Sequence, residues 1–180
     1  MIYNGISLEK RREYDPDLIN RSRNSLSVKN GQFVIGTVNR LVKDKGIEYL
    51  LEAMALLSIS RDDIVCLIVG DGDQKKKLEE MSRSLNISDK VIFAGNVEDV
   101  SRYISVMDIF IQPSLHETFG LSVAEALLDG RPVIVTSVCG ICELLEDGHN
   151  AVFIPPKDPL AISNAVKDLI TDKDLSLIHI

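Results

Sequence analysis

The sequence predicts an α/β fold: a doubly wound, mainly parallel six-stranded sheet with helices on both faces. Six short apolar runs rich in β-branched residues are nearly continuous, which is typical of strands buried on both faces of a parallel sheet. Segments with helical spacing of apolar residues alternate with these runs. The connections between them are short, as right-handed strand–helix–strand units require.

The elements follow in regular order along the 180 residues. The predicted strands are 32–38, 63–70, 90–95, 107–113, 132–137 and 150–155. The helices predicted to follow them are 46–58, 73–86, 97–105, 121–130 and 158–170. Ligands of such folds bind at the carboxyl ends of the strands, so the loops after each strand are where functional residues are expected.

The sequence predicts that the chain consists of three regions. Residues 1–30 are polar and are predicted to be a linker that includes a short helix around 17–25. Residues 31–170 form the Rossmann-like domain. Residues 171–180 have no clear amphipathic pattern and are predicted to be a truncated or non-native tail. We expect a single lobe of a longer protein.

Composition excludes several classes of function. The net charge of −7, from 20 basic and 27 acidic residues, disfavours a nucleic-acid-binding protein. Aromatic residues make up only 5% of the chain, and there is no Trp for base stacking. No apolar run approaches the roughly 20 residues that span a bilayer, and the N-terminus lacks the apolar core of a signal peptide. We therefore expect a cytoplasmic protein with no membrane-spanning segment.

The three cysteines do not predict a metal site. Cys139 and Cys142 form a C-x-x-C pattern that could be redox-active or half of a zinc site. No second Cys/His pair at ligand spacing accompanies it. Cys66 lies in an apolar run and is interpreted as a small buried hydrophobe. A reducing compartment fits this pattern best.

The loop after the first strand carries two cations at the ligand edge. Arg40 and Lys45 precede Gly46, which begins the next helix. A bidentate guanidinium, an ammonium group and exposed backbone amides suit a diphosphate. Solvated surface charge is the alternative interpretation of such a pair.

The loop after the second strand, "VGDGDQ", offers two weaker patterns. Gly70-x-Gly72 lacks the third glycine of a dinucleotide fingerprint. Asp71 and Asp73 could hold a metal ion bound to a diphosphate. Asp73 is also placed to cap the following helix, so a turn with a helix cap is the favoured interpretation.

The stretch "HETFGLSVAE" places Glu117 in a loop and Glu125 one turn inside a predicted helix. Gly120 allows close approach of a ligand to the backbone, and Ser122 is predicted as the N-cap of a Ser-x-x-Glu capping box. Amides of residues 118–121 could hold a phosphate, flanked by two carboxylates that accept hydroxyl hydrogen bonds. Such a site suits a nucleotide sugar. His116 is interpreted as a loop residue because no nucleophile lies near it in sequence.

These residues resemble those of a known family. "NRLVKDKGIEYLLEA", "LIVGDGDQKKKLEE", "VIFAGNVEDV", "PSLHETFGLSVAEAL" and "GRPVIVTSVCGICELLEDGHNAVFIPPKDP" are similar, in this order, to the C-terminal donor-binding lobe of GT-B-fold retaining glycosyltransferases, the glycosyl transferases group 1 family. The similarity runs from "YNGIS" at residue 3 to about residue 170, and the R-x4-K-G and E-x7-E elements together are specific to it. It implies that 31–170 is a nucleotide-sugar-binding domain.

The resemblance also implies residue roles. Arg40 and Lys45 would stabilise the leaving diphosphate in place of a metal, and Glu117 would hold the transferred sugar; these are the expected catalytic residues. The expected donor-binding residues are Glu125 for the ribose, backbone of Thr118, Phe119, Gly120 and Leu121 for phosphate and sugar, and Gly95, Asn96 and Val97 beside the base. No metal or cofactor is expected, and the donor is a UDP-, GDP- or ADP-sugar.

Two positions depart from the family pattern. Asn39 stands where the family usually has Gly before the Arg, so the backbone is expected to approach the phosphates less closely. Cys139-Gly140 followed by Ile141 replaces the usual Gly-Gly of a loop that faces the donor. Sugar preference could therefore be altered.

The resemblance implies that the acceptor binds to a second, N-terminal lobe. That N-terminal domain would bind the acceptor glycan or lipid-linked sugar, and the parent enzyme could dock at the inner face of a membrane. We expect this chain to bind donor but not to transfer sugar efficiently by itself. A nucleotide-sugar 2-epimerase lobe and a non-catalytic nucleotide-binding module are the alternatives. The cations after the first strand disfavour a receiver-type domain, which needs an acidic cluster there.

Overall fold

The computed structural model describes residues 16–138, 140 and 145–171, and it contains one six-stranded sheet. Its strands are β1 (Phe33–Val38), β2 (Ile64–Val69), β3 (Val91–Gly95), β4 (Ile109–Gln112), β5 (Val133–Thr136) and β6 (Val152–Ile154). The strand order is β3-β2-β1-β4-β5-β6, and every neighbouring pair is parallel. The predicted doubly wound fold is confirmed, with each strand within the predicted segment.

Six α-helices accompany the sheet in the part of the chain that the structure describes. They are α1 (Pro16–Ser25), α2 (Ile47–Ser58), α3 (Lys75–Ser84), α4 (Val100–Ile104), α5 (Leu121–Leu128) and α6 (Pro159–Thr171). A 3₁₀ turn, Lys43–Lys45, precedes α2.

The sheet is covered on both faces, which explains the near-continuous apolar strands. On β2, Cys66 and Ile68 face one core with Leu50 of α2, whereas Leu67 and Val69 face the other. The first core also includes residues of α3 and α6, and the second includes residues of α4 and α5. Every residue of β2 is buried. Burying each Leu or Ile side chain contributes roughly 1.5–3 kcal/mol to stability relative to leaving it exposed.

Helix α1, which lies in the predicted linker, packs on the lobe. The Arg23 guanidinium donates to the Val106 carbonyl at 3.1 Å and contacts the Asp108 carboxylate at 3.4 Å. Asp108 in turn accepts a hydrogen bond from the Val34 amide at 2.7 Å, at the start of β1. Residues 16–25 are therefore tied to the sheet edge opposite the strand carboxyl ends.

The predicted Asp73 cap of α3 is wrong. Gln74 is the N-cap residue of this helix, and no side chain caps it. Asp71 is the carboxylate that organises the turn: it accepts from the Gly72 amide at 2.7 Å and pairs with Lys75 at 3.3 Å. The turn was predicted correctly, but the carboxylate two residues earlier is the one that bonds within it.

Several sequence predictions fall outside the described residues. These are the "YNGIS" segment, the Cys139 and Cys142 pattern, Ile141, and residues 172–180 of the predicted tail. Cys66 is fully buried, and burial raises the pKa of its thiol to about 12, so it is a structural thiol. Among the described helices, none is both long and apolar enough to cross a bilayer.

Candidate functional site

A cleft of about 890 Å³ opens at the carboxyl ends of the strands. The strand order reverses between β1 and β4, and ligands of open α/β sheets bind at such a switch point. The cleft is lined by Val38, Asn39, Arg40, Lys45, Val69, Gly70, Asp71, Asn96, Val97, Val100, Glu117, Leu121, Ser122 and Glu125. It therefore draws on the loops that follow β1, β2, β3 and β4.

The fold brings most of the predicted site residues to this one cleft. Those that line it are Arg40, Lys45, Glu117, Glu125, Leu121, Asn96 and Val97. Thr118, Phe119, Gly120 and Gly95 belong to the same loops but do not line the cleft in this structure, and their role in donor binding stays a prediction.

The loop after β1 is braced from both sides. Leu41 is fully buried; its amide donates to the Asp71 carbonyl and its carbonyl accepts from the Gln74 amide, both at 2.9 Å. On the other side, the Leu115 amide donates to the Asp44 carbonyl at 2.8 Å. The two cations of this loop are thus carried on a backbone held by the β2 and β4 loops. The Arg40 side chain is exposed and makes no hydrogen bond or ion pair among the described residues.

Gly70 explains the Gly-x-Gly pattern after β2. Its φ is +125°, and a Cβ atom added there would overlap the carbonyl oxygen of Asn39. The β1 and β2 loops are therefore in direct backbone contact, which only glycine allows. The pattern serves the packing of two loops that line the cleft.

Glu117 joins the β4 loop to the β1 loop. Its carboxylate lies 2.7 Å from the Lys45 ammonium, and only 8% of the residue is exposed. The other carboxylate oxygen accepts from the amides of Thr118 at 3.1 Å and Gly120 at 3.3 Å. Two of the amides that we expected to be open to a phosphate are therefore bonded to Glu117 here.

The predicted Ser122 N-cap is wrong. Helix α5 begins at Leu121, its N-cap residue is Gly120 in the left-handed conformation, and no side chain caps it in the manner of a capping box. The Ser-x-x-Glu pattern fits locally, but the left-handed Gly120 starts the helix earlier. Glu125 is the fifth residue of α5, one turn in, and lines the cleft on the same side as Leu121.

The Glu117 carboxylate is held in its ionised form. Burial raises the pKa of Glu117 and is the largest single influence on it. The hydrogen bond and charge of Lys45, with hydrogen bonds from Gln112 and the Thr118 amide, outweigh burial and lower the pKa below its usual value. The cleft therefore contains a paired, partly desolvated charge at neutral pH.

A buried polar network below the cleft was missed from the sequence. Gln112, at the end of β4 and 1% exposed, donates to the Glu117 carboxylate at 2.9 Å. The side-chain amides of Gln112 and Asn39 exchange two hydrogen bonds, of 2.8 and 3.1 Å. The available signal was a glutamine in an otherwise apolar buried strand. Asp71, Ser122 and Val100 were also not predicted as cleft residues.

No group of three or more His, Cys, Asp or Glu side chains within residues 16–138 and 145–171 is arranged to hold a metal ion. The cations of the cleft, Arg40 and Lys45, are the groups that carry positive charge there.

An all-parallel Rossmann-like lobe with a cleft at the carboxyl ends of its strands, at the switch point of the strand order, is the class of domain that binds nucleotides in α/β enzymes. The chain belongs to the glycosyl transferases group 1 family, whose model matches residues 19–177. HepE of Anabaena, solved in complex with UDP-glucose, superposes with a TM-score of 0.91 at 29% identity, over 99% of this chain and 50% of HepE. The expectation of a Rossmann-like lobe of the GT-B type is confirmed.

Curated relatives support the same family. The glycosyltransferase MJ1607 of Methanocaldococcus jannaschii, described as uncharacterized, is 34% identical over 179 residues, or 96% of this chain and 45% of MJ1607. The capsular polysaccharide biosynthesis glycosyltransferase CapM of Staphylococcus aureus is 29% identical over 173 residues, again 96% of this chain and 45% of CapM. The chain thus spans less than half the length of these two relatives.

Proposed function

We propose that this chain is the donor-binding domain of a retaining glycosyltransferase, which transfers a sugar from a nucleotide-diphosphate sugar to an acceptor hydroxyl. The observation that carries the proposal is a cleft at the β1/β4 switch point that brings together Arg40 and Lys45 of the loop after β1, Glu117 of the loop after β4 and Glu125 of α5. This distribution of charge matches a diphosphate flanked by two hydroxyl-rich groups.

The two cations bind the diphosphate. Arg40 is exposed at the cleft and can bind two phosphate oxygens at once, whereas Lys45 acts as a point charge. As the glycosidic bond to the phosphate breaks, negative charge grows on the leaving diphosphate, and positioned cations stabilise it. The proposed chemistry is therefore metal-independent, and no cofactor takes part.

The carboxylates and the β3 loop bind the rest of the donor. Glu125 accepts hydrogen bonds from the ribose hydroxyls, and Glu117 accepts from the transferred sugar. Asn96 and Val97 lie beside the base, with apolar surface from Val100. The backbone of Gly95 and of Thr118 to Leu121 completes the phosphate and sugar contacts.

The remaining steps require more than this lobe. The acceptor, a glycan or lipid-linked sugar, binds to a second domain of the parent enzyme, so this chain binds donor without efficient transfer. Transfer retains the anomeric configuration, with the leaving diphosphate assisting the incoming hydroxyl. Polysaccharide or glycolipid synthesis in the cytoplasm is the proposed setting, in keeping with the name of CapM.

A thermal-shift titration with UDP, GDP and ADP, each with and without EDTA, tests the proposal. At about ten times Kd, a bound ligand adds roughly 1.4 kcal/mol of stability. For a domain of this size that corresponds to a rise of about 3–5 °C in Tm. One nucleotide should raise the Tm, and EDTA should leave that rise intact because the cations are side chains.

Matched variants locate the binding. Glu125→Ala should abolish the nucleotide-dependent rise, and Glu80→Ala, an exposed glutamate in the middle of α3, should leave it unchanged. A rise that persists in Glu125→Ala, or no rise with any of the three nucleotides, would contradict the proposal.

A further inference from the structure

Glu117 has no unused acceptor position in this structure. A carboxylate accepts about four hydrogen bonds. One oxygen takes the amides of Thr118 and Gly120, and the other takes Lys45 at 2.7 Å and Gln112 at 2.9 Å, with the Ser114 hydroxyl at 3.4 Å. A sugar hydroxyl can therefore bind Glu117 only by replacing one of these donors.

Lys45 is the replaceable donor. The Thr118 and Gly120 amides belong to the loop itself, and Gln112 is buried at the end of β4. The Lys45 side chain is 22% exposed and lines the same cleft as Arg40. A diphosphate placed between these two cations attracts the lysine ammonium away from Glu117.

Gln112 stays in place when the lysine moves, because its amide is locked by Asn39. The Gln112 carbonyl accepts from the Asn39 amide nitrogen at 3.1 Å, which leaves the Gln112 nitrogen facing both the Asn39 carbonyl and Glu117. The Asn39 nitrogen is itself fixed by the Thr37 hydroxyl at 2.7 Å. A flipped Gln112 amide would face Glu117 with its oxygen, which is electrostatically unfavourable.

We propose that Gln112, oriented by Asn39, is a positioning residue that holds Glu117 for the donor sugar while Lys45 exchanges from Glu117 to the diphosphate. This inference rests on the proposed function and adds to it the residue that fixes the sugar-binding carboxylate. It also assigns a role to the Asn39 side chain, since a glycine at that position would have no side chain with which to orient Gln112.

The test compares donors with and without the sugar. Calorimetric titrations measure the Kd of the wild-type chain and Gln112→Met for UDP and UDP-glucose, and for the GDP and ADP pairs. Methionine keeps the volume of the buried side chain but donates nothing. In Gln112→Met, the ratio of the Kd for UDP-glucose to the Kd for UDP should rise about tenfold over the wild-type ratio. This is the scale of one charge-assisted hydrogen bond. Affinity for the diphosphate alone should stay within about twofold, since among the described residues the Gln112 amide nitrogen donates to Asn39, Ser114 and Glu117 and not to a phosphate-binding group.

Two further variants guard against a merely structural effect. Asn39→Gly should shift the same ratio in the same direction by a few-fold. If Gln112→Met does not fold, Asn39→Gly alone tests the inference. Thr136→Val loses buried hydrogen bonds to the backbone carbonyls of Ser114 and Gln112 at the same sheet edge, without touching the Glu117 carboxylate or the Gln112 side-chain amide, and should leave the ratio unchanged.

A pH series adds a readout specific to Glu117. Because Gln112 is one of the donors that lower the pKa of Glu117, the acid limit of UDP-glucose binding should move to higher pH in Gln112→Met. Equal weakening of both ligands, or an unchanged ratio, would overturn the inference and leave the proposed function standing. Failure of the wild-type chain to bind any of the nucleotides would overturn both.

Discussion

Replacing Lys45 by methionine removes the cation that faces the buried Glu117 carboxylate and leaves the other contacts of that carboxylate in place. Removing one partner of a fully buried ion pair costs about 3–5 kcal/mol, and of an exposed pair about 1 kcal/mol or less. Here the side chains are 22% and 9% exposed, and Glu117 keeps Gln112 and two backbone amides. We expect Lys45→Met to lower the free energy of unfolding by about 2 kcal/mol at pH 7.

The loss should depend on pH in a defined direction. In the wild type the pKa of Glu117 is lowered, so its contribution is present above the unfolded value of 4.5 and is lost as pH falls through the folded pKa. In Lys45→Met the hydrogen bond and the charge that most strongly oppose burial are gone, so we expect the pKa of Glu117 to rise, which penalises ionised Glu117 at neutral pH. This penalty is removed as pH falls toward 4.5 and the carboxylate binds a proton. The difference between the two proteins should therefore shrink as pH falls.

Urea unfolding at pH 7 and near pH 4 measures both quantities. Lys43→Met, an exposed lysine of the same 3₁₀ turn, is the matched control and should change stability by less than about 0.5 kcal/mol. The double variant Lys45→Met/Glu117→Gln should recover part of the loss, because no charge is left unpaired. An equal loss at both pH values would refute the reasoning.

Two other predictions concern stability alone. Burial raises the pKa of Asp129 to about 6, against the opposing charge of Arg131, so ionised Asp129 opposes folding at pH 7. Asp129→Asn should therefore raise the free energy of unfolding by about 1 kcal/mol at pH 7. This gain should disappear below the unfolded pKa of 3.8, where the carboxyl group is protonated in both states. No gain at pH 7 in urea unfolding would contradict it. Gly46→Ala should cost about 3 kcal/mol, since φ is +60° and the new Cβ atom would overlap the Pro113 carbonyl oxygen. Gly130→Ala, with φ +67° and nothing within 4 Å, should cost only the conformational strain of about 1 kcal/mol, and equal costs for the two variants would count against the steric reason.

Much of the fold could be predicted from the sequence because the central strands β1, β2, β4 and β5 are largely buried. The run Ile64–Val69 is apolar at every position, since one set of its residues meets α2 and the other meets the α4 and α5 side. Both E-x7-E glutamates and both cations reached one cleft because loops at the carboxyl ends of parallel strands share an edge. Topology predicted that these loops meet at one edge, and the choice of these particular residues also drew on the resemblance to the family.

The details that were missed or wrongly predicted depend on contacts between residues distant in sequence or on backbone conformation. The Lys45–Glu117 pair joins residues 72 positions apart, and Gln112–Asn39 joins residues 73 apart. Residues so far apart in sequence leave no local sequence pattern from which either contact could be predicted. The Ser122 capping box failed for a different reason: the Ser-x-x-Glu pattern is present, but a left-handed Gly120 begins the helix before the serine can cap it.

A crystal structure of this chain grown with the nucleoside diphosphate that raises its Tm tests the central claim most directly. The account predicts phosphate oxygens within about 2.7–3.2 Å of the side chains of Arg40 and Lys45. It also predicts ribose hydroxyls on Glu125 and the base against Asn96 and Val97. A nucleotide bound away from the β1/β4 edge, or one whose diphosphate contacts neither cation, would contradict it.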